Sequence, residues 1–258
     1  MSKTYNFKVE EAVQDCVSWI WNWFQTNGKN CKAVVGISGG KDSSVVAALL
    51  VKTLGKERVI GVKMPNGIQE DINDANKLIE FLDIKNYEIN IQKIFESYTN
   101  ALYEQNSLEE TEQALTNLPA RIRMSTLYAV SQSIGGRVAN TCNLSEDWVG
   151  YSTRYGDSVG DFSPLAGFTV EEVIKIGRFL GLPEELITKA PADGLCGKTD
   201  EENLGFSYSD IGKLIREDGE GVDHEIVDRI TEMHDKNKFK LELMPSFTPN
   251  VRSIYDIQ

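Results

Sequence analysis

From Val9 to Phe24 apolar residues recur every three or four positions, at Val9, Val13, Cys16, Val17, Ile20 and Phe24. This is the spacing of a helix that buries one face. Trp19 and Trp21 flank the stripe on opposite sides and widen the apolar face. The pattern fits a core helix, or one that also meets a second subunit. Ala33–Ile37 is a short β-branched run and reads as a buried strand. It leads into Ser38, Gly39 and Gly40, then into an apolar helix from Asp42 to about Leu54. Val59–Val62 is a second strand, Ile72–Leu82 a helix with Asp71 placed to cap it, and Tyr87–Ile91 a third strand. Two helices follow, Ile94–Tyr103 and Leu118–Ser133, and Arg137–Ala139 is a fourth strand, ending at Thr141.

After Asn143 the texture changes. Gly150–Gly167 is rich in Gly, Ser and Asp and reads as a long loop. Helical patterns return at Val170–Leu180, Pro183–Ile187, Ser209–Ile215 and Val222–Met233. Between them Pro191–Gly205 is loop-like, with Thr199 and Glu202 spaced as a capping box. A loop of that length inside a compact domain is functional or mobile. The last fifteen residues, with Pro245 and Pro249, form a tail. Strands alternating with helices predict an α/β fold: a doubly wound, mostly parallel five-stranded sheet with helices on both faces, followed by a C-terminal helical segment. A chain of 258 residues is expected to form it as a single domain over residues 1–258.

Charge narrows the partners. There are 27 basic and 39 acidic residues, a net charge of −12, which disfavours non-specific binding to nucleic acid or an anionic membrane. No apolar run approaches the roughly 18–20 residues of a membrane span, and the N-terminus lacks the apolar segment of a signal peptide. The four cysteines, Cys16, Cys31, Cys142 and Cys196, form no CxxC pair, and the chain has two histidines. A structural zinc site is not expected, and the composition suits a reduced, cytoplasmic protein. The sequon at Asn143 is then a chance occurrence.

The sharpest chemical signal is the run from Ser38 to Ser43, Ser-Gly-Gly-Lys-Asp-Ser. It follows a predicted strand and opens a predicted helix. Paired glycines let backbone N–H groups approach an anion, and the helix N-terminus adds its dipole. Asp42 puts a carboxylate where phosphates would lie, which is sensible with a Mg²⁺ between them. The spacing of a Walker A loop is absent.

This run resembles the signature loop of the PP-loop ATP pyrophosphatases, which cleave ATP between the α- and β-phosphates and adenylate an oxygen of the substrate. Later segments are similar to one branch, the ammonia-dependent NAD synthetases. They are Ala120, Arg121, Arg123 and Met124 with Leu127 and Tyr128; Thr141, Asn143, Ser145 and Glu146; Gly150 to Asp157; Asp161 to Pro164; and Gly197 to Glu202 with Leu204, Gly205 and Tyr208. The resemblance runs from about residue 9 to 245, and the amidohydrolase (glutaminase) domain of the glutamine-dependent type is not expected. It implies that ATP adenylates the nicotinate carboxylate of deamido-NAD, that ammonia attacks the acyl-adenylate to give NAD and AMP, and that the enzyme is a homodimer.

Site residues carry over position by position. ATP contacts are implied for Gly36, Ile37, Ser38, Gly39, Gly40, Lys41, Asp42 and Ser43 around the turn, and for Thr141. Lys63 and Gln69 follow the second strand, beside the ATP position. Lys41 and Asp42 are the catalytic candidates, and Asp42 and Glu146 the Mg²⁺ ligands. Arg121, Arg154, Asp161 and Lys240 are implied for deamido-NAD. Arg123 lies about 200° around the helix from Arg121 and cannot grip the same group; it is left between a structural role and an ATP contact. The chain departs from the family at Val170, Ala192 and Phe239, where a lysine, a hydroxyl residue and a histidine are usual, and it carries Lys41 where many members have an uncharged residue. Lys41 is therefore expected to supply the phosphate-side charge missing at Val170. The rival readings are another PP-loop enzyme, such as a tRNA thiolase, and a non-catalytic nucleotide sensor.

Overall fold

The computed structural model describes residues 5–69, 72–105, 111–189 and 199–247. Four parallel strands form the sheet: β1 (Lys32–Gly36), β2 (Val59–Lys63), β3 (Lys85–Glu88) and β4 (Gly136–Ala139), in the order β3-β2-β1-β4. Consecutive residues of β1 and β2 are almost fully buried and alternate between two cores. Ala33, Val35 and Val59 enter one core, and Val34, Ile60 and Val62 the other, as period-two geometry requires of a sheet covered on both faces.

The first core lies under α1 (Val9–Asn27), α2 (Lys41–Leu54), α3 (Ile72–Leu82), α7 (Val170–Phe179) and α8 (Glu184–Ile187). Val13, Cys16, Ile20 and Phe24 of α1 are buried, while Trp19 and Trp21 stand out to solvent; the stripe is core. Every residue from Ser43 to Leu50 in α2 is buried, so this helix is the hub between the sheet and α1 and α7. Fully burying each leucine there contributes roughly 1.5–3 kcal/mol. The opposite face carries α4 (Gln92–Tyr103) and α5 (Glu112–Ser133). A third cluster joins α6 (Leu144–Val149), α10 (Tyr208–Glu217) and α11 (His224–Asn237) to α7; α9 (Asp200–Leu204) precedes α10.

The expected fifth strand is not formed among the described residues. Its place at the free edge of β4 is taken by a single bridge, Ala139 to Phe162, with Asp161 N donating to Val138 O and Asn140 N to Phe162 O. Gly160 passes so close that a Cβ on it would lie 2.7 Å from Asn140 N. The Gly- and Ser-rich loop crosses the edge there and turns away at Pro164. The third strand begins two residues earlier than predicted and ends at Glu88. Ile89 and Ile91 still donate to the carbonyls of Lys63 and Pro65, but Pro65 has no N–H to return, so the ladder closes. The helix expected from Leu118 starts at Glu112, capped by Thr111, and carries Pro119 inside it. Helix α6 has no counterpart in the hydrophobic pattern. Asp71, Ala192, Cys196 and most of the tail lie outside the described residues.

Candidate active site

Strand β1 has β2 on one side and β4 on the other; the crossover from β1 to β2 through α2 lies on one face, and that from β3 to β4 through α4 and α5 on the other. The carboxyl ends of β1 and β4 therefore flank a topological switch point, the crevice where open α/β sheets bind ligands. The Ser38–Ser43 turn leaves β1 there, and Thr141 to Glu146 leave β4 beside it. Gly36 ends β1, Ile37 is buried beyond it, and Ser38 Oγ is 3.1 Å from Ser43 Oγ and accepts from Gly40 N at 3.2 Å. Ser43 and Ser44 hydroxyls both donate to Gly40 O, at 3.1 and 2.8 Å. Gly39 has φ +81°, and a Cβ on it would lie 2.8 Å from Ala75 N. The turn is thus closed by its own hydroxyls and by α3, with the amides at the start of α2 as donors for an anion.

Behind the turn lies a buried charge cluster. Lys41 is 3 % exposed; its Nζ is 2.9 Å from Asp42 Oδ2 and 4.0 Å from Glu146 Oε1. It also stands 5.8 Å from the centroid of the Tyr208 ring, and Tyr208 shares its buried cluster with Val170. Asn143 ties the two strand ends together. It is fully buried, its Nδ2 donates to Asp42 Oδ1 at 3.0 Å, and its Oδ1 accepts from the Ser145 and Glu146 amides, with Glu146 closing the capping box on α6. A glycan on Asn143 has no room. Burial and the neighbouring Asp42 charge raise the Glu146 carboxyl well above its ordinary value, against the pull of Lys41. Burial opposes the Lys41 charge, yet Asp42, Glu146 and Asp200 together hold its pKa above normal. Asp200 accepts from the Tyr208 hydroxyl at 3.1 Å.

The carbonyls at the end of α6 are capped from α11 and the 3-10 turn after it: His234 Nδ1 lies 2.8 Å from Trp148 O, Asn237 donates to Val149 O, and Lys240 Nζ donates to Gly150 O at 2.7 Å. Helix ends leave such carbonyls without partners, so the C-terminal helices hold α6 and, through it, Glu146.

The cationic residues gather on the loop that follows. Arg121 Nε donates to Arg154 O at 3.4 Å. The Arg154 guanidinium lies 5.1 Å from the centroid of the Tyr155 ring and 5.3 Å from that of Phe239. Lys240 reaches the same loop through Gly150 and Ser152. Arg121 and Lys240 therefore both bond to carbonyls of the loop that carries Arg154. Asp161 accepts from Val138 N at 2.7 Å and from the Tyr128 hydroxyl. Arg123 faces away from Arg121 and donates to Met64 O. Lys63 is buried, and its ammonium is taken up by Asn76 at 2.6 Å and Glu88 at 2.8 Å. Gln69 opens α3 through its carbonyl, and Thr141 sits between β4 and α6.

Residues 12–244 match the family model described as NAD synthase. The chain belongs to the NAD synthase family. An NH(3)-dependent NAD(+) synthetase from Carboxydothermus hydrogenoformans is 37% identical over 90% of this chain and 94% of its own. Among solved structures, an NMN synthetase from Francisella tularensis superposes with a TM-score of 0.85 at 33% identity, covering 95% of this chain and 100% of that one. The NH3-dependent NAD synthetase from Campylobacter jejuni gives 0.78 at 28%, over 94% and 100%. The activity is that of a C–N ligase using ATP. Among the described residues no helix is long and apolar enough to cross a membrane.

In this NAD synthase the donor set suits a hard cation. Oxygens of Asp42 and Glu146 already converge on one positive centre, the Lys41 ammonium, and Mg²⁺ is commonly held by one or two carboxylates together with substrate phosphates. Asn143, Asp200 and Tyr208 lie within the segments that resemble the family, without a role carried over from it. An Asn three residues before a Glu is itself a capping signature, which Asn143 and Glu146 carry in the sequence. The pairing of Tyr208 with Asp200, and the reach of both to Lys41, needed the fold.

Proposed function

We propose that this chain amidates the nicotinate carboxylate of deamido-NAD with ammonia, after ATP has adenylated that carboxylate and released pyrophosphate. The observation that carries the reading is the convergence at the β1/β4 switch point of an anion-binding turn and two carboxylates bridged by Asn143. The Gly39 and Gly40 backbone and the Ser38 and Ser43 hydroxyls would cradle phosphates. Asp42 and Glu146 would hold a Mg²⁺, whose charge offsets that of the departing pyrophosphate. No covalent nucleophile is required, because AMP is a good leaving group. Positioning and charge stabilisation carry the rate. The Arg121 and Arg154 cluster offers positive charge to the dinucleotide phosphates, with Lys240 fixing the loop that presents it. We read residues 1–258 as one synthetase domain acting as a homodimer in the cytoplasm.

Pyrophosphate release and NAD formation, measured with deamido-NAD, ATP, Mg²⁺ and ammonium, test this. Both are expected to continue over many turnovers with ammonium, whereas glutamine alone should give no NAD and at most one equivalent of pyrophosphate. ATP binding without pyrophosphate release would instead indicate a nucleotide sensor. The likeness to the Francisella NMN synthetase supports one further reading, in which the nicotinate mononucleotide is the acid that is adenylated and then passes its acyl group to ammonia. Comparing kcat/KM for the mononucleotide and dinucleotide acids decides between them.

A further inference from the structure

We infer that the Lys41 ammonium is the resident counter-ion of the Asp42–Glu146 pair, a tethered cation against which a divalent metal must compete in the nucleotide-free enzyme. The inference rests on the reading of those two carboxylates as the metal ligands. Lys41 is the first residue of α2, and its side chain turns inward instead of following the helix surface. The ammonium sits between oxygens of both carboxylates, at 2.9 and 4.0 Å, and over the Tyr208 ring, a placement that favours a cation. Among the described residues no other Lys or Arg forms an ion pair with Asp42 or Glu146. A third carboxylate, Asp200, acts on the same lysine. A neutral side chain at 41 would leave these buried charges without a positive partner, a costly state in a site of low dielectric.

A metal entering this site meets carboxylates already neutralised in part, so bare metal should bind weakly. ATP phosphates add negative charge and restore the balance, so metal and nucleotide should bind together. The lysine thereby couples occupancy of the metal site to the arrival of ATP.

Mn²⁺ titration followed by electron paramagnetic resonance tests this without turnover. In the absence of nucleotide, Lys41→Met and Lys41→Gln should bind Mn²⁺ about ten-fold or more tighter than the parent, while Lys41→Arg should stay close to it. Adding a non-hydrolysable ATP analogue should narrow the gap. The two neutral variants should also melt lower than the parent in EDTA and recover in Mg²⁺, which the parent should not. Adding Glu146→Gln to Lys41→Met should abolish the tight Mn²⁺ site. Equal or weaker Mn²⁺ binding by both neutral variants, or tight binding that survives Glu146→Gln, overturns the inference. Failure of the parent to bind Mn²⁺ even with the ATP analogue would instead overturn the metal reading on which it rests, and the inference with it.

Discussion

Asn143 is the residue whose loss the structure prices most clearly. It makes two separable contributions. Its Oδ1 caps α6 through the Ser145 and Glu146 amides, and its Nδ2 donates to the Asp42 carboxylate at 3.0 Å. Removing an N-cap costs about 0.5–2 kcal/mol, and losing a hydrogen bond to a charged group about 1.5–3 kcal/mol. Asn143→Ala loses both, so about 2–5 kcal/mol. At roughly 2–4 °C per kcal/mol for a chain of this size, the melting temperature should fall by roughly 4–20 °C. Asn143→Ser keeps a capping oxygen but cannot reach Asp42, and should lose only the second contribution. Asn143→Asp keeps the cap but sets a carboxylate against Asp42, a repulsion of about 4 kcal/mol at 4 Å and an effective dielectric near 20; it should be the least stable in EDTA and regain most in Mg²⁺. Differential scanning calorimetry of the three variants, with EDTA and with Mg²⁺, reads these differences. An alanine variant melting within about 1 °C of the parent would refute the whole account. A serine variant as unstable as the alanine one would refute the capping part.

Asp42→Asn and Glu146→Gln should each lower turnover by about a hundred-fold or more with the circular dichroism spectrum unchanged; normal activity at saturating Mg²⁺ removes that residue from the mechanism. Gly39→Ala must adopt φ +81° and place its Cβ 2.8 Å from Ala75 N, so ATP affinity measured by calorimetry should fall sharply, and parent-like affinity would show that the turn tolerates a side chain. Glu172 is buried, and although burial opposes its charge, Arg216, Tyr5 and the Thr169 amide hold its carboxyl below the ordinary 4.5. The stability it supplies is present above that ordinary value and is lost as pH falls through the lower folded value. Glu172→Gln should therefore melt lower at neutral pH and show a flatter decline below pH 4.5; a variant with the parent's acid slope would contradict the assignment.

The local record was written in the sequence. The α1 stripe and the run from Ala33 to the paired glycines were legible because helix and strand impose their own periods on burial. The turn itself was legible because its glycines, hydroxyls and carboxylate are contiguous. The pairing of Asp42 with Glu146 came through the family likeness, since 104 positions of chain separate two groups that meet only when β1 and β4 become neighbours. Tertiary structure alone decided the rest. An edge strand exists only if a partner offers a ladder, and the loop at Phe162 met β4 for a single bridge. Helix α6 is too short to show a period and is held by its own capping box and by His234, Asn237 and Lys240. The direction of a side chain is likewise not a local property: the sequence places Lys41 in the phosphate turn and Lys63 beside the ATP position, and only the packing around them turned each onto buried or neighbouring acids.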